Sequence, residues 1–257
     1  MAAVAAPAQQ KLRVLCFGDS LTAGFASWGL EFHPYRLKLQ QMLEMAFPDL
    51  EIEVVEDGLS GDTVKHGFLS RMQRHFPPKR KPGESFDWTI VLGGTNDLAY
   101  SWRTEEIFEK LKETWDVPLR RKSKVLALTI PEVGVEVDRK RRDAKRDKLN
   151  DLIRNYKRDG FYVFDLNRAV PFFGMSEEDR EKYWDDGVHF KPAGYDLVGK
   201  EVGMGLVKIL EKDRERYTPP AKRRRVFRDD HKAFEEEDGD PTSLDQGYVV
   251  VRRKDLD

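Results

Sequence analysis

The chain has 257 residues, of which 39% are hydrophobic and 11% aromatic, enough for one sizeable core and too apolar for a wholly disordered polymer. Its 45 Lys and Arg nearly cancel its 46 Asp and Glu, which excludes a whole-protein field drawing it to nucleic acid or an anionic membrane. One cysteine, Cys16, excludes an intrachain disulfide, and no apolar run approaches the roughly 20 residues that span a bilayer.

Residues 1–11 open on Met-Ala-Ala-Val-Ala-Ala-Pro-Ala, small and mildly apolar, without a basic start or a dense apolar stretch. They read as a flexible lead-in rather than a signal peptide, and the expected compartment is the cytoplasm. Five short β-branched runs follow, at 12–17, 51–55, 88–92, 124–130 and 161–166, each with the pattern of a strand; Cys16, inside the first, reads as a buried core residue. Between them, apolar residues recur at helical spacing: Leu39, Met42, Leu43 and Ala46, then Ile107, Phe108, Leu111 and Trp115, then Leu149, Leu152, Ile153 and Tyr156. A last helix is expected over 192–210, with Val198, Val202, Leu206 and Ile209 facing the sheet. This alternation predicts an α/β fold, a parallel sheet covered on both faces with right-handed crossovers.

Residues 12–212 therefore read as one domain and residues 213–257 as a charged tail, flexible or loosely packed. The tail carries Lys222-Arg223-Arg224-Arg225 and Glu235-Glu236-Glu237-Asp238, and Tyr248-Val249-Val250-Val251 has the pattern of a short edge strand. The basic cluster matches a nuclear-import signal in form but reads as solvated charge, and no nucleic-acid partner is expected.

In open parallel sheets, sites form beyond the carboxyl ends of the strands. Ser20 follows the first predicted strand, Gly58 the second and Asn96 the third, while Asp186-Gly187-Val188-His189 comes near the end of the domain. A serine hydroxyl is a weak nucleophile at neutral pH, so acyl transfer needs a base, a group that orients the base, and donors for the developing oxyanion. His189 is the candidate base and Asp186 its partner. The Asn96 amide and the backbone N–H groups of Ser20 and Gly58 are candidate oxyanion donors. Singly, each has a plainer reading: Asp19 and Ser20 as a helix cap, Asn96 and Asp97 as turn residues, His189 as one loop histidine among five. Together and in this order they predict ester hydrolysis.

These residues resemble the SGNH, or GDSL-type, hydrolases. Gly18-Asp19-Ser20-Leu21-Thr22-Ala23-Gly24 resembles that family's first block, Gly58-Leu59-Ser60-Gly61-Asp62-Thr63 its second, Gly94-Thr95-Asn96-Asp97 its third and Asp186-Gly187-Val188-His189 its last. The similarity spans about residues 12–210. It implies a flavodoxin-like three-layer α/β/α sandwich whose five-stranded parallel sheet has the order 2-1-3-4-5, and ester hydrolysis without metal or cofactor. By position it implies Ser20 as nucleophile, Ser20, Gly58 and Asn96 as oxyanion hole, His189 as base and Asp186 as its partner. Two residues before Gly58, where many members carry Asn, this chain has Glu56; Asp185, beside Asp186, reads as solvated. The Gly-x-Ser-x-Gly signature of the other large lipase class is absent around Ser20.

The family's substrates include esters and thioesters of lipids, small alcohols and sugars. Phe25, Trp28 and Phe32, with Leu30 and Tyr35, are candidates to line a substrate pocket beside Ser20, as is Val133; packing of the core is the alternative for the aromatics. The segment from Pro131 into Asp138-Arg139-Lys140-Arg141-Arg142 has the composition of a basic lid or of a solvated helix face. The expected activity is an intracellular serine esterase taking a small-molecule ester with a small or medium acyl group. A lysophospholipase or acyl-thioesterase is the alternative of the same class. A catalytically silent scaffold whose charged tail binds a protein or nucleic acid is the alternative of a different class. Nothing in the sequence signals an oligomeric state.

Overall fold

Burial on both faces is what lets a strand read as an unbroken apolar run, and the interior strands of the sheet have it. A computed structural model describes residues 10–79 and 84–217. Strand β1 spans Lys11–Gly18 and is buried from Val14 onward. Strand β3, Trp88–Leu92, is buried at every residue. Strand β2, Glu51–Gly58, and strand β5, Phe161–Phe164, are partly exposed, while β4, Lys124–Leu128, lies between β3 and β5. The order is β2-β1-β3-β4-β5, all parallel, with Gly18 opposite both Gly58 and Leu92.

Five helices of more than one turn matter for the layers: α1, Arg36–Ala46; α2, Leu69–His75; α3, Thr104–Arg120; α4, Arg139–Asn155; and α5, Pro192–Tyr217. On one face of the sheet Leu15, Phe17, Val91, Val125 and Ala127 pack with Met72 of α2, Leu111 and Trp115 of α3, and Leu149 and Ile153 of α4. Alternation along a strand sends Val14, Cys16 and Ile90 to the other face, and they too are buried. Leu39 and Leu43 of α1 and Val198, Val202 and Leu206 of α5 are buried as their spacing predicts. Helices α1 and α5 approach at Gly199, where an added Cβ would lie 2.4 Å from the Tyr35 carbonyl oxygen.

The boundaries differ from expectation in informative ways. Strands β4 and β5 each stop two residues early, because Thr129 and Asp165 turn to each other: Thr129 Oγ1 donates to Asp165 Oδ1 at 2.8 Å. Helix α5 runs seven residues past the predicted end at 210, through a Glu/Lys/Arg-rich stretch whose straight side chains favour helix. The chain divides into two compact units, Met1–Ile209 and Leu210–Asp257; of the second, only the end of α5 is described. The basic cluster 222–225, the acidic run 235–238, the 248–251 strand and residues 1–9 of the lead-in lie outside the described residues.

Candidate active site

The carboxyl end of β1 delivers Ser20 directly. Asp19 caps a one-turn helix, Ser20–Ala23, by accepting the Leu21 N–H at 3.0 Å. Ser20 opens that helix, so its own N–H has no intrahelical acceptor and stays available to a ligand. The Ser20 hydroxyl lies 2.9 Å from His189 Nε2, although 169 positions separate them.

Local hydrogen bonds explain why His189 stands there. Asp186 Oδ1 accepts the N–H groups of Val188 (2.9 Å) and His189 (2.8 Å), and Gly187 takes φ +81°, a left-handed turn open to glycine. The Asp-Gly-Val-His segment thus wraps around its first carboxylate. Asp186 Oδ2 is left 2.8 Å from His189 Nδ1. With Nδ1–H donated to Asp186, Nε2 is the acceptor that faces the Ser20 hydroxyl. Burial would raise the Asp186 pKa, but the His189 ring and the two N–H donors outweigh it and hold the carboxyl below its usual range. Asp186 therefore remains a charged partner for an imidazolium. Phe25 covers the imidazole with ring centroids 4.6 Å apart.

The other blocks meet around Asn96. Its Nδ2 donates to the Asp62 carbonyl oxygen at 2.8 Å, and the neighbouring Asp97 carboxylate accepts the Val64 and Lys65 N–H groups at 2.9 and 3.2 Å. Burial is the main cause raising the Asp97 pKa, opposed by those two donors. Beneath them the Arg71 guanidinium, 7% exposed, donates to the Gly18 carbonyl (3.0 Å), to Asp62 Oδ2 (2.6 Å) and to both the carbonyl and carboxylate of Asp57 (2.6 Å each). One side chain ties the ends of β1 and β2 to the loop that carries Asp62.

Three expectations need correction. The Gly58 N–H donates to Glu56 Oε1, so in this structure that donor is already occupied; its Cα also packs against Ala23 and the Asp19 carbonyl. Glu56 is raised above its usual pKa, chiefly by burial and against the Gly58 N–H. A candidate donor not expected from the sequence is Gly61, with φ +77° and open space where a Cβ would stand. Among the described residues the Gly61 N–H has no acceptor, and it adjoins the Asp62 carbonyl that holds Asn96. A second glycine three residues after Gly58, flanked by Ser60 and Asp62, is the signal for it in the sequence.

The second correction concerns the aromatics. Phe25 and Phe32 belong to a two-residue-per-strand hairpin, Phe25–Ala26 with Glu31–Phe32. Trp28 sits at its tip with φ +58° and is 84% exposed, as are Leu30 (90%) and Phe32 (58%). These three face solvent, and Tyr35 is fully buried in the core; of the aromatics only Phe25 touches the site. Third, Asp185 is not merely solvated: its Oδ2 accepts the Ser27 N–H at 2.7 Å and anchors that hairpin.

Val133 does line a cleft. It has a volume of about 470 Å³ and passes Asn96, Pro131, Val133 and Val188 before reaching the first turns of α4. The segment after Pro131 forms one wall and is tied down twice. Gly134 N–H donates to the Gly187 carbonyl at 2.7 Å, and Arg142 donates to the carbonyls of Val133, Val135 and Val137. Arg139 leaves the cleft and stacks on Phe173, 3.4 Å from the ring centroid.

A family model described as GDSL-like Lipase/Acylhydrolase matches residues 16–197. Comparison with curated proteins gives no match. Among solved structures the chain is similar to a lipase/acylhydrolase from Enterococcus faecalis, with a TM-score of 0.59 and 20% identity over 77% of this chain and 96% of that one. It is also similar to a member of the lipolytic G-D-S-L family from Veillonella parvula, with TM-score 0.55 and 17% identity over 74% and 96%. A third is an acetylxylan esterase, Axe2, from Geobacillus stearothermophilus, with TM-score 0.51 and 20% identity over 74% and 92%. At these identities the likeness concerns the fold.

Proposed function

We propose that this chain, which belongs to the GDSL-like lipase/acylhydrolase family, is a serine esterase for carboxylic esters with small or medium acyl groups. The observation that carries this reading is the relay from Asp186 Oδ2 through His189 Nδ1 and Nε2 to Ser20 Oγ, with links of 2.8 and 2.9 Å. Ser20 Oγ attacks the ester carbonyl while His189 Nε2 takes its proton, and Asp186 stabilises the imidazolium. The oxyanion is received by the Ser20 N–H, the Asn96 amide and, in place of Gly58, the Gly61 N–H. As the tetrahedral intermediate collapses, the imidazolium returns its proton to the leaving alkoxide and an acyl-Ser20 ester remains. Water, deprotonated by His189, then releases the carboxylic acid and restores the serine.

A cleft of about 470 Å³ beside Asn96 supports acyl groups of modest length. The test is hydrolysis of 4-nitrophenyl esters from acetate to palmitate by wild type and Ser20→Ala, with fluorophosphonate labelling in parallel. Turnover peaking at short to medium chains is expected, with a loss of about 10⁴-fold or more in Ser20→Ala and labelling confined to Ser20. Turnover retained without the Ser20 hydroxyl would remove it as nucleophile. Absence of both turnover and labelling would favour a catalytically silent scaffold.

A further inference from the structure

The cleft is apolar along its course past Ile130, Pro131, Val133 and Val188, yet its α4 wall carries four cations, Arg141, Arg142, Lys145 and Arg146. They are not equivalent. Arg146 is neutralised by Asp143 and Asp147 at 2.8 and 2.9 Å. Arg142 braces the cleft wall through backbone carbonyls alone and has no carboxylate partner among the described residues, so its charge stays uncompensated. Lys145 Nζ reaches across to the Ser101 carbonyl at 3.3 Å and likewise meets no carboxylate among the described residues. Arg141 has one acidic neighbour, Asp138, at 3.8 Å, with both side chains about two-thirds exposed. Three cations against one carboxylate leave this wall positive, in a molecule whose total charge is −1.

The direction of the cleft says which part of a substrate meets them. A leaving alkoxide must face His189 to receive its proton, and that side of the site is covered by Phe25. The cleft is lined by Asn96, the proposed oxyanion donor, and by none of Ser20, His189 and Phe25, so it lies beyond the reacting carbon on the side away from the leaving group and takes the acyl portion. An apolar chain running to a cationic wall fits an acyl group that is itself charged at its end.

We infer that Arg141 and Lys145 form an anion site, and that the preferred ester carries a carboxylate or phosphate at the end of its acyl chain. This rests on the esterase reading above and narrows its substrate class. Arg142 is the positioning residue, holding the loop of Val133, Val135 and Val137 so that the wall faces the acyl chain. Because Arg141 is largely exposed, the preference is moderate and declines as salt rises.

The experiment compares kcat/KM on 4-nitrophenyl hexanoate, on the mono-4-nitrophenyl ester of adipic acid, and on the 4-nitrophenyl ester of 6-phosphonooxyhexanoic acid. Wild type should favour one or both anionic esters over the neutral one by about fivefold, as expected for exposed charge pairs. The larger ratio identifies carboxylate or phosphate as the group recognised. In Arg141→Gln/Lys145→Gln the ratio should fall to about one, whereas the charge-preserving Lys145→Arg should retain it. A wild-type ratio of one or less, or a ratio unchanged in the double variant, would overturn the anion site while leaving the esterase reading intact. Failure of wild type on all three esters, with no fluorophosphonate labelling of Ser20, would remove the esterase reading and this inference with it.

Discussion

Asp19 is held at the deepest point of the site at a cost that pH should reveal. Its side chain is fully buried, Oδ1 accepts the Leu21 N–H, and Oδ2 has no partner. Burial, eased by the Leu21 donor and aggravated by nearby Asp97, pushes its pKa from 3.8 up to about 7. A carboxyl with a raised folded-state pKa binds its proton more tightly when folded. Its stabilising contribution is therefore complete below about pH 4 and is lost between about pH 4 and 7, by up to ~1.4 kcal/mol per pH unit. Asp19→Asn retains a capping oxygen and removes the titration. Urea midpoints measured from pH 4 to 7 should fall with pH in wild type and fall markedly less in Asp19→Asn; parallel slopes would show that Asp19 is charged throughout. At this scale the sequence was most legible at the motif residues Ser20, Asp186 and His189, which the fold brings within hydrogen-bond distance of one another. It was least legible where an N–H direction depends on a side chain: the order of residues offers two glycines, Gly58 and Gly61, and only the structure says that Glu56 takes the Gly58 N–H.

Strands β1 and β3 announced themselves because burial on both faces makes each an apolar run, and the helices because their buried faces recur at helical spacing. What periodicity misses is the polar inner framework, where one residue serves several elements. Arg71 of α2 is such a residue, with β1, β2 and the Asp62 loop all bonded to its guanidinium. Its sequence context, Leu-Ser-Arg-Met, reads as an ordinary helix face. Arg71→Met would leave the Asp57 and Asp62 carboxylates without their cation and should destabilise the fold by about 3–5 kcal/mol. Chemical denaturation checks this, and a loss below about 1 kcal/mol would show that the elements hold their places without it. Of the cations on the α4 wall, Arg141 and Arg142 stood out in the sequence as part of a basic segment, whereas Lys145 did not, because a helical pattern identifies the face that packs and Lys145 stands off that face.

On the scale of the molecule, family and sheet order agree: residues 16–197 match the family, and the five parallel strands in the order β2-β1-β3-β4-β5 set the site along their carboxyl ends. No helix among the described residues is long and apolar enough to cross a membrane. The 169-position separation of Ser20 from His189 also fixes when the site can exist. On a translating ribosome Ser20 emerges first and His189 much later, near the end of the first compact unit. At about 5–20 residues per second, roughly 10–30 s pass between them. Strand β1 has both of its sheet neighbours, β2 and β3, once residue 92 is made, yet Ser20 at its end still waits nearly a hundred residues for His189. Chains stalled before residue 189 leaves the exit tunnel should not react with a fluorophosphonate, and chains stalled well beyond it should. On the proposed mechanism each newly made copy is chemically silent until its scaffold is nearly whole, because the two ends of one proton transfer lie at opposite ends of the domain.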